Sequence, residues 1–473
     1  MSSLRHNERI MIKITDKQRR IAIIISAIII FAVLSGSFLF RPNKAEVLVP
    51  GNVAMKVDGM KISVGFYNYF YSSSTTPEIL IELEKEYEGF DQHLPLDEQI
   101  YDASTGKTWK EYIDETVKDQ ISHLVKAYNK GVAANICVFD EQQENIETII
   151  KALETEAEKL SIGINDYTSY TYGNYVGEKT VRKILEMSYI AQNYYEYYIV
   201  QKELSSDIYD DFYERNKDYL ISVEYFCCEI PAKNNINEKK DEALLLLPEL
   251  SAENFEETLA KKFPDFQTVI SERQGTKLTF EGNDNVRKWL FDESRKAGDK
   301  IVIADEEKDR VYVLLAKTGL VEETEKTCSA REIAMRVSEF GDWETLDKIA
   351  NNIQNKINDA ENKEYVFAVY ADIYMNNIQP TDASGGLLTN IRNGNGEAES
   401  WLFDSERKRK DFICLKNENG YYLIMFVEKK PAWQYLADEE IKETEFKNSI
   451  KDNIDIQKKY AFRFTEGYID GQD

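Results

Sequence analysis

Two eight-residue blocks carry the side chains best placed to do chemistry. Trp289 to Lys296 reads W-L-F-D-E-S-R-K, and Trp401 to Lys408, 112 positions on, reads W-L-F-D-S-E-R-K. Each offers a Trp face, a Phe and an Arg. Trp289, Phe291, Trp401 and Phe403 are therefore candidate substrate-binding residues, with packing against a sheet as the competing use of the same rings. Arg295 and Arg407 hold matching places, suited to a carbonyl contact or to a salt bridge with a nearby Asp or Glu. Such groups act by stacking and hydrogen bonding. Proton-transfer chemistry lacks its usual base: the three histidines, His6, His93 and His123, are dispersed. Carboxylates are plentiful but have no histidine partners, and no metal-ligand spacing or cofactor motif occurs. The five cysteines (137, 227, 228, 328 and 414) form no C-x-x-C and no disulfide framework, and read as core residues. Cys227 and Cys228, adjacent on one strand, point to opposite faces.

The elements that position the blocks are themselves repeated. Each block precedes an apolar strand-like run, Val311–Leu315 or Tyr421–Phe426. A shared word with a shared strand downstream predicts two copies of one module of about 100 residues. Val223–Ile230 reads as a strand, followed by helices at Glu238–Leu247 and Asn254–Phe263. The second copy repeats this with a strand at Ala330–Val337 and helices over 343–358 and 363–376. A Gly385-Gly386 pair follows, suited to a tight turn or a close backbone approach. Before the copies, 3.6-residue periodicity predicts helices at Thr108–Lys130, Asp140–Leu160, Asn165–Tyr172, Glu178–Glu203 and Asp207–Tyr219. Val53–Ile62 reads as a hairpin turning at Asp58-Gly59, and Ser63 as the cap of a helix. A polar stretch with Pro77, Pro95 and Gly106 follows, part of it read as a long loop. A closing helix is expected at Glu439–Phe464.

The expected fold class is α+β. Its parts are a cytoplasmic tail (1–20), a transmembrane helix (21–40), a helical domain (45–220), two α+β domains (221–320 and 327–432) and a C-terminal helix (433–473). Ile21–Phe40 is 20 residues without a charge, long enough at helical rise to span roughly 30 Å of hydrocarbon. Basic residues precede it, which places the N-terminus in the cytoplasm and the remainder outside the cell membrane. The exit F-L-F-R-P lacks a small-x-small cleavage pattern, so an uncleaved anchor is expected. Net charge is −25 overall and +6 over residues 1–44, leaving −31 for the rest. That balance repels phosphate backbones and argues against nucleic-acid binding.

Several words resemble a known family. V-D-G-M-K-I-S-V-G-F-Y-N-Y-F-Y (57–71), L-P-L-D-E-Q-I-Y-D-A-S-T-G-K-T-W (94–109) and L-E-M-S-Y-I-A-Q-N-Y-Y (185–195) resemble the helical chaperone domain of SurA/PrsA-like extracytoplasmic foldases of Gram-positive type. Y-A-D-I-Y (370–374) followed by G-G-L-L (385–388) resembles the parvulin-type peptidyl-prolyl isomerase module. The resemblance implies a membrane-anchored folding factor that binds unfolded or nascent secreted polypeptides and needs no cofactor. Active members carry histidines on the first and last strands of the module. Here those places fall near Tyr225 and Tyr312 in the first copy and near Glu332 and Tyr422 in the second. Asp382 is the nearest match to the family's Cys or Asp.

Prolyl isomerisation needs a pocket that holds a twisted amide better than a planar one, against a barrier of about 18–20 kcal/mol. A Tyr hydroxyl both donates and accepts, so Tyr225, Tyr312 and Tyr422 are conceivable substitutes, with Asp382 beside them. The missing histidines favour modules that hold chains without catalysing. The alternatives are an isomerase rewired around tyrosine and a scaffold with one dedicated partner.

Overall fold

The computed structural model describes residues 53–450, apart from 218–219, 266, 278–279, 281, 323–325, 376–384 and 395. The apolar run 21–40, Asp382 and the tail from 451 lie outside the described residues. Among the described residues no helix is long and apolar enough to cross a membrane.

A hairpin opens the helical part. β1 (Val53–Val57) pairs antiparallel with β2 (Met60–Ser63). Asp58 and Gly59 turn between them with φ of 47° and 80°, the positive values a tight two-residue turn requires. Ser63 accepts from the Phe66 N–H at 3.2 Å and caps α1 (Val64–Ser73). α2 (Pro77–Glu86) occupies the start of the polar stretch expected to be loop in part. Pro77 sits in its first turn, where a missing N–H costs nothing, so this proline starts a helix. The short pair β3 (Ile100–Asp102) and β4 (Lys107–Thr108) leads into α3 (Trp109–Ala133), capped reciprocally by Thr108 and Glu111. α4 (Asp140–Lys159), α5 (Ile164–Tyr172), α6 (Glu178–Gln201) and α7 (Ser206–Asn216) follow. Val117, Ile121 and Val125 of α3 and Ile184 of α6 are buried in one apolar cluster. Tyr67 of α1 donates to Asp114 of α3, which also pairs with Lys118, so the buried carboxylate is neutralised.

Two α+β units of the same topology come next. The first contains β5 (Ile221–Pro231), α8 (Ile236–Leu246), α9 (Phe255–Lys262), β6 (Val269–Thr276), α10 (Asp284–Leu290), β7 (Lys300–Asp305), β8 (Arg310–Ala316) and β9 (Val321–Glu322). Its sheet order is β6-β5-β8-β7, with β9 extending the start of β5. The second contains β10 (Lys326–Arg336), α11 (Val337–Phe340), α12 (Trp343–Asp359), α13 (Lys363–Met375), β11 (Leu387–Ile391), α14 (Glu397–Phe403), β12 (Phe412–Asn417) and β13 (Gly420–Pro431). Its order, β11-β10-β13-β12, reproduces the first. One face of each sheet packs on two helices. Phe226, Cys228 and Ile230 meet Ala243, Phe255 and Leu259; Ile333 and Met335 meet Leu346, Ile353 and Phe367. The other face receives the short helix that ends in the Trp block, α10 or α14. α15 (Ala432–Ser449) starts directly after Pro431, earlier than expected, and sets Phe446 against Tyr194, Tyr195 and Tyr198 of α6.

The twin blocks are built alike. Arg295 stacks on Trp289, 4.0 Å from ring centre, and donates to the Trp289 carbonyl at 2.8 Å and to Asp299 at 3.0 Å. Arg407 stacks on Trp401 at 4.2 Å and donates to the Trp401 carbonyl at 3.2 Å. It also pairs with Asp404 at 3.2 Å. Each block then turns through a left-handed residue that donates to the last strand. Gly298 (φ 85°) donates to the Ala316 carbonyl and Lys410 (φ 75°) to that of Phe426. A lysine there is strained by about 1–2 kcal/mol. Lys410→Gly should therefore raise stability by about 0.5–1 kcal/mol after the entropic cost of glycine, as read by chemical unfolding.

Candidate functional site

A cleft of about 520 Å³ opens on the Trp-helix side of the first sheet. Strand alternation puts Tyr225, Cys227 and Glu229 of β5 on that side, and the β5–β8 register adds Leu314 and Tyr312. Tyr225, Cys227, Val286 and Tyr312 are buried at its floor. Phe280 closes one side, 5.8 Å edge-to-face from Phe291. Arg273, Asn283, Lys308 and Arg310 stand at the rim. Glu229 braces two of them, 2.8 Å from Arg273 and 2.7 Å from Arg310, so the guanidinium groups are held in place.

Tyr225 and Tyr312 thus line one cleft on one face. Register sets Tyr225 opposite Ala316 and Tyr312 opposite Glu229. Four residues of strand, about 13 Å, separate the two positions, so the tyrosines flank the cleft with Cys227 between them. Burial, and then the charge of Glu229, pushes the Tyr312 hydroxyl up to about 12, so it stays protonated and able to donate. The cleft holds apolar rings, hydroxyls and fixed guanidinium donors. Those are the means to grip an extended chain without covalent chemistry.

The Trp blocks lie beside the cleft. Phe291 is buried under α10, and Trp289 is half-buried beneath Arg295; neither lines the cleft. Trp401 is half-buried beneath Arg407, and Phe403 is half-buried with Lys429 5.0 Å from its ring centre. Both Arg side chains serve as clamps on the blocks.

In the second sheet the matching surface is filled differently. Tyr422 occupies the place of Tyr312, opposite Ala334 and Leu415. The register equates Tyr225 with Ala330, two residues before Glu332, and Ala316 with Phe426. Glu332 holds the place of Cys227, and burial pushes its carboxyl above the usual range. The Gly385-Gly386 pair makes a close approach. Both residues have positive φ, 56° and 67°. A Cβ at Gly385 would strike Glu196 and Arg331, and one at Gly386 the Glu332 carbonyl.

The rim residues escaped the sequence reading because β6, V-I-S-E-R-Q-G-T, is an edge strand with little apolar alternation. The Glu at 229, Arg at 273 and Arg at 310 become neighbours only through strand register.

No family model matches this sequence, and no curated protein matches it. Among solved structures, the foldase protein PrsA from Streptococcus pneumoniae is 11% identical, with 70% of this chain and 97% of that chain covered and a TM-score of 0.19. At that identity and TM-score the likeness carries no argument about chemistry.

Proposed function

We propose that this chain is an extracytoplasmic folding factor that holds unfolded polypeptides non-covalently, with the first α+β unit as a contact site. One observation carries the reading: Tyr225 and Tyr312 face the same cleft, which has an apolar floor and no histidine beside it. The resemblance of residues 57–71, 94–109 and 185–195 to foldase chaperone domains points the same way. In this reading the run 21–40 anchors the chain in the cell membrane with its folded parts outside, where translocated polypeptides emerge. The acidic surface keeps the holder soluble beside the membrane and away from nucleic acid.

The test is binding of a fluorescent, proline-containing unfolded peptide to the full chain. Tyr312→Ala removes an aromatic contact at the cleft floor and should weaken binding roughly tenfold or more, whereas Tyr422→Ala should change it little. Equal effects of the two substitutions would count against the first cleft as the contact site.

The shared face of Tyr225 and Tyr312 also favours a second reading, an isomerase rewired around tyrosine. It predicts catalysis of prolyl isomerisation that is lost in both Tyr225→Phe and Tyr312→Phe. Holding alone predicts no catalysis in any of the three proteins.

A further inference from the structure

Three carboxyl groups converge on one guanidinium where the helical part meets the second sheet. Arg331, 1% exposed, leaves β10 on the side of the helix layer. Its Nη1 lies 3.6 Å from Glu196 of α6, and its Nε 3.5 Å from Glu364 of α13. Asp372, two turns along α13, accepts from the Gly385 N–H at 3.0 Å and from the Gln192 side chain at 3.2 Å. The Gly385 carbonyl accepts from Arg331 Nη1 at 2.8 Å. Arg409 closes the cluster, 3.0 Å from Glu364 and 3.4 Å from Glu203 at the rim.

If every acid were ionised, three buried carboxylates would face two arginines, one of them half-exposed. Burying an unneutralised carboxylate costs several kcal/mol, and taking up a proton removes that cost. The hydrogen bonds decide which acid takes it. Glu364 has both arginines, and Asp372 has a backbone N–H and an amide. Glu196 Oε2 is buried without a hydrogen-bond partner, and its cation stands beyond hydrogen-bond range.

We propose that Glu196 binds a proton when α6 and the second α+β unit are docked, and that losing it loosens this joint. The joint is then a proton-operated hinge between the helical part and the second unit.

The surroundings agree. Burial first, and then the charge of Asp372, raises the Glu196 carboxyl to about 8 against the pull of Arg331. Burial raises Asp372 to about 6. The groups facing the cluster are Tyr195 on α6, Glu364, Tyr365 and Asp372 on α13, Arg331 on β10 and Arg409 in the 404–411 turn. Behind them, Glu439 and Glu443 of α15 face Tyr195, and Glu428 of β13 faces Arg409. Among the described residues, Arg331 and Arg409 are the cations paired with the cluster; Lys442 of α15, beyond Arg409 and Glu428, pairs with Asp438 instead. A carboxyl raised above its ordinary value near 4.3 binds more protons docked than undocked. Docking is therefore strongest at low pH and is lost progressively as pH climbs from about 4.5 through 8.

Hydrogen exchange of the α13 amides in the full chain, corrected for intrinsic rates, tests this at pH 6.5 and 8.5. The native chain should open roughly 25-fold more readily at pH 8.5, as expected for most of one proton released across that two-unit interval. Glu196→Gln, which keeps the shape of the protonated acid, should abolish the difference. A native chain without the difference, or a variant that retains it, would overturn the proposal. Should Glu196→Gln fail to fold, Asp372→Asn provides a second reading. It removes the neighbouring charge and should move the midpoint to lower pH; an unmoved midpoint would also overturn the proposal. Glu203→Gln at the rim should keep the native response, and its loss there would refute the assignment to Glu196.

Discussion

Deleting Ser222–Val321 and joining Ile221 to Glu322 through Asn-Gly should leave the rest of the protein folded. The expected melting temperature of the remainder is within a few degrees of its value in the full chain. Ile221 pairs with Glu322 and Ser222 with Val321, so the incoming and outgoing strands of the first unit run side by side. Such partners lie about 5 Å apart, a gap that a two-residue turn closes. The apolar clusters on both faces of the first sheet draw all their members from 221–322. Its charged rim is paired internally as well, Glu229 with Arg273 and Arg310, and Lys233 with Asp265. Of those clusters the deletion leaves behind one member, the half-buried Ile221 at the junction. The excised segment, made alone, should melt cooperatively, as a unit of about 100 residues with its own core does. Circular dichroism melts of both pieces check the prediction. An excised segment without a transition, or a remainder without one, refutes it.

Arg331→Met should do the opposite and cost about 3–5 kcal/mol, the usual loss when one partner of a buried ion cluster is removed. The same strand position in the first unit holds Phe226, which packs on Phe255 at 5.3 Å within that unit's own core. Arg331 instead reaches the carboxylates of another part of the molecule, Glu196 above all. Methionine keeps the bulk and, among the described residues, leaves the three acids with Arg409 as their one paired arginine, through Glu364. Glu196 and Asp372 would then take up protons more readily than before, because Arg331 pulls against both. Their folded-state values rise further above the unfolded ones, so the variant should regain stability as pH falls from 8 to 5. Urea unfolding at the two pH values measures this. A loss below about 1 kcal/mol at pH 8 would show that Arg331 does not hold the joint.

Long elements with strong periodicity were legible in the sequence. The helices α3, α4 and α6 and the central strands β5, β8, β10 and β13 lie where hydrophobic spacing puts them, because burial on one or both faces writes a clear pattern. The four edge strands were not legible. β6 mixes polar side chains among its few apolar ones, and its partner β5 is set by register over 40 or more residues. The site divides in the same way. Tyr225 and Tyr312 could be named from their strands, but Glu229, Arg273 and Arg310 meet only after the sheet is assembled. The cluster around Arg331 was harder still. Its members come from α6, β10 and α13, and nothing local marks an arginine in a strand as buried. The repeat suggested two equal modules, yet one unit is closed on itself and the other reaches the helical part through a charged joint.

Tandem copies of one sheet invite a folding error in which a strand of one completes the other. The central strand pair guards against it. The first unit sets Tyr225 against Ala316, and the second sets Ala330 against Phe426, so the bulky ring sits on opposite strands in the two copies. An exchanged pair would bring Tyr225 against Phe426 in one sheet and Ala330 against Ala316 in the other. The first is overfilled and the second leaves a void, and each costs a few kcal/mol. The exchanged ring therefore serves as a key that lets each half of the duplication recognise only its own partner strand while the chain is still folding.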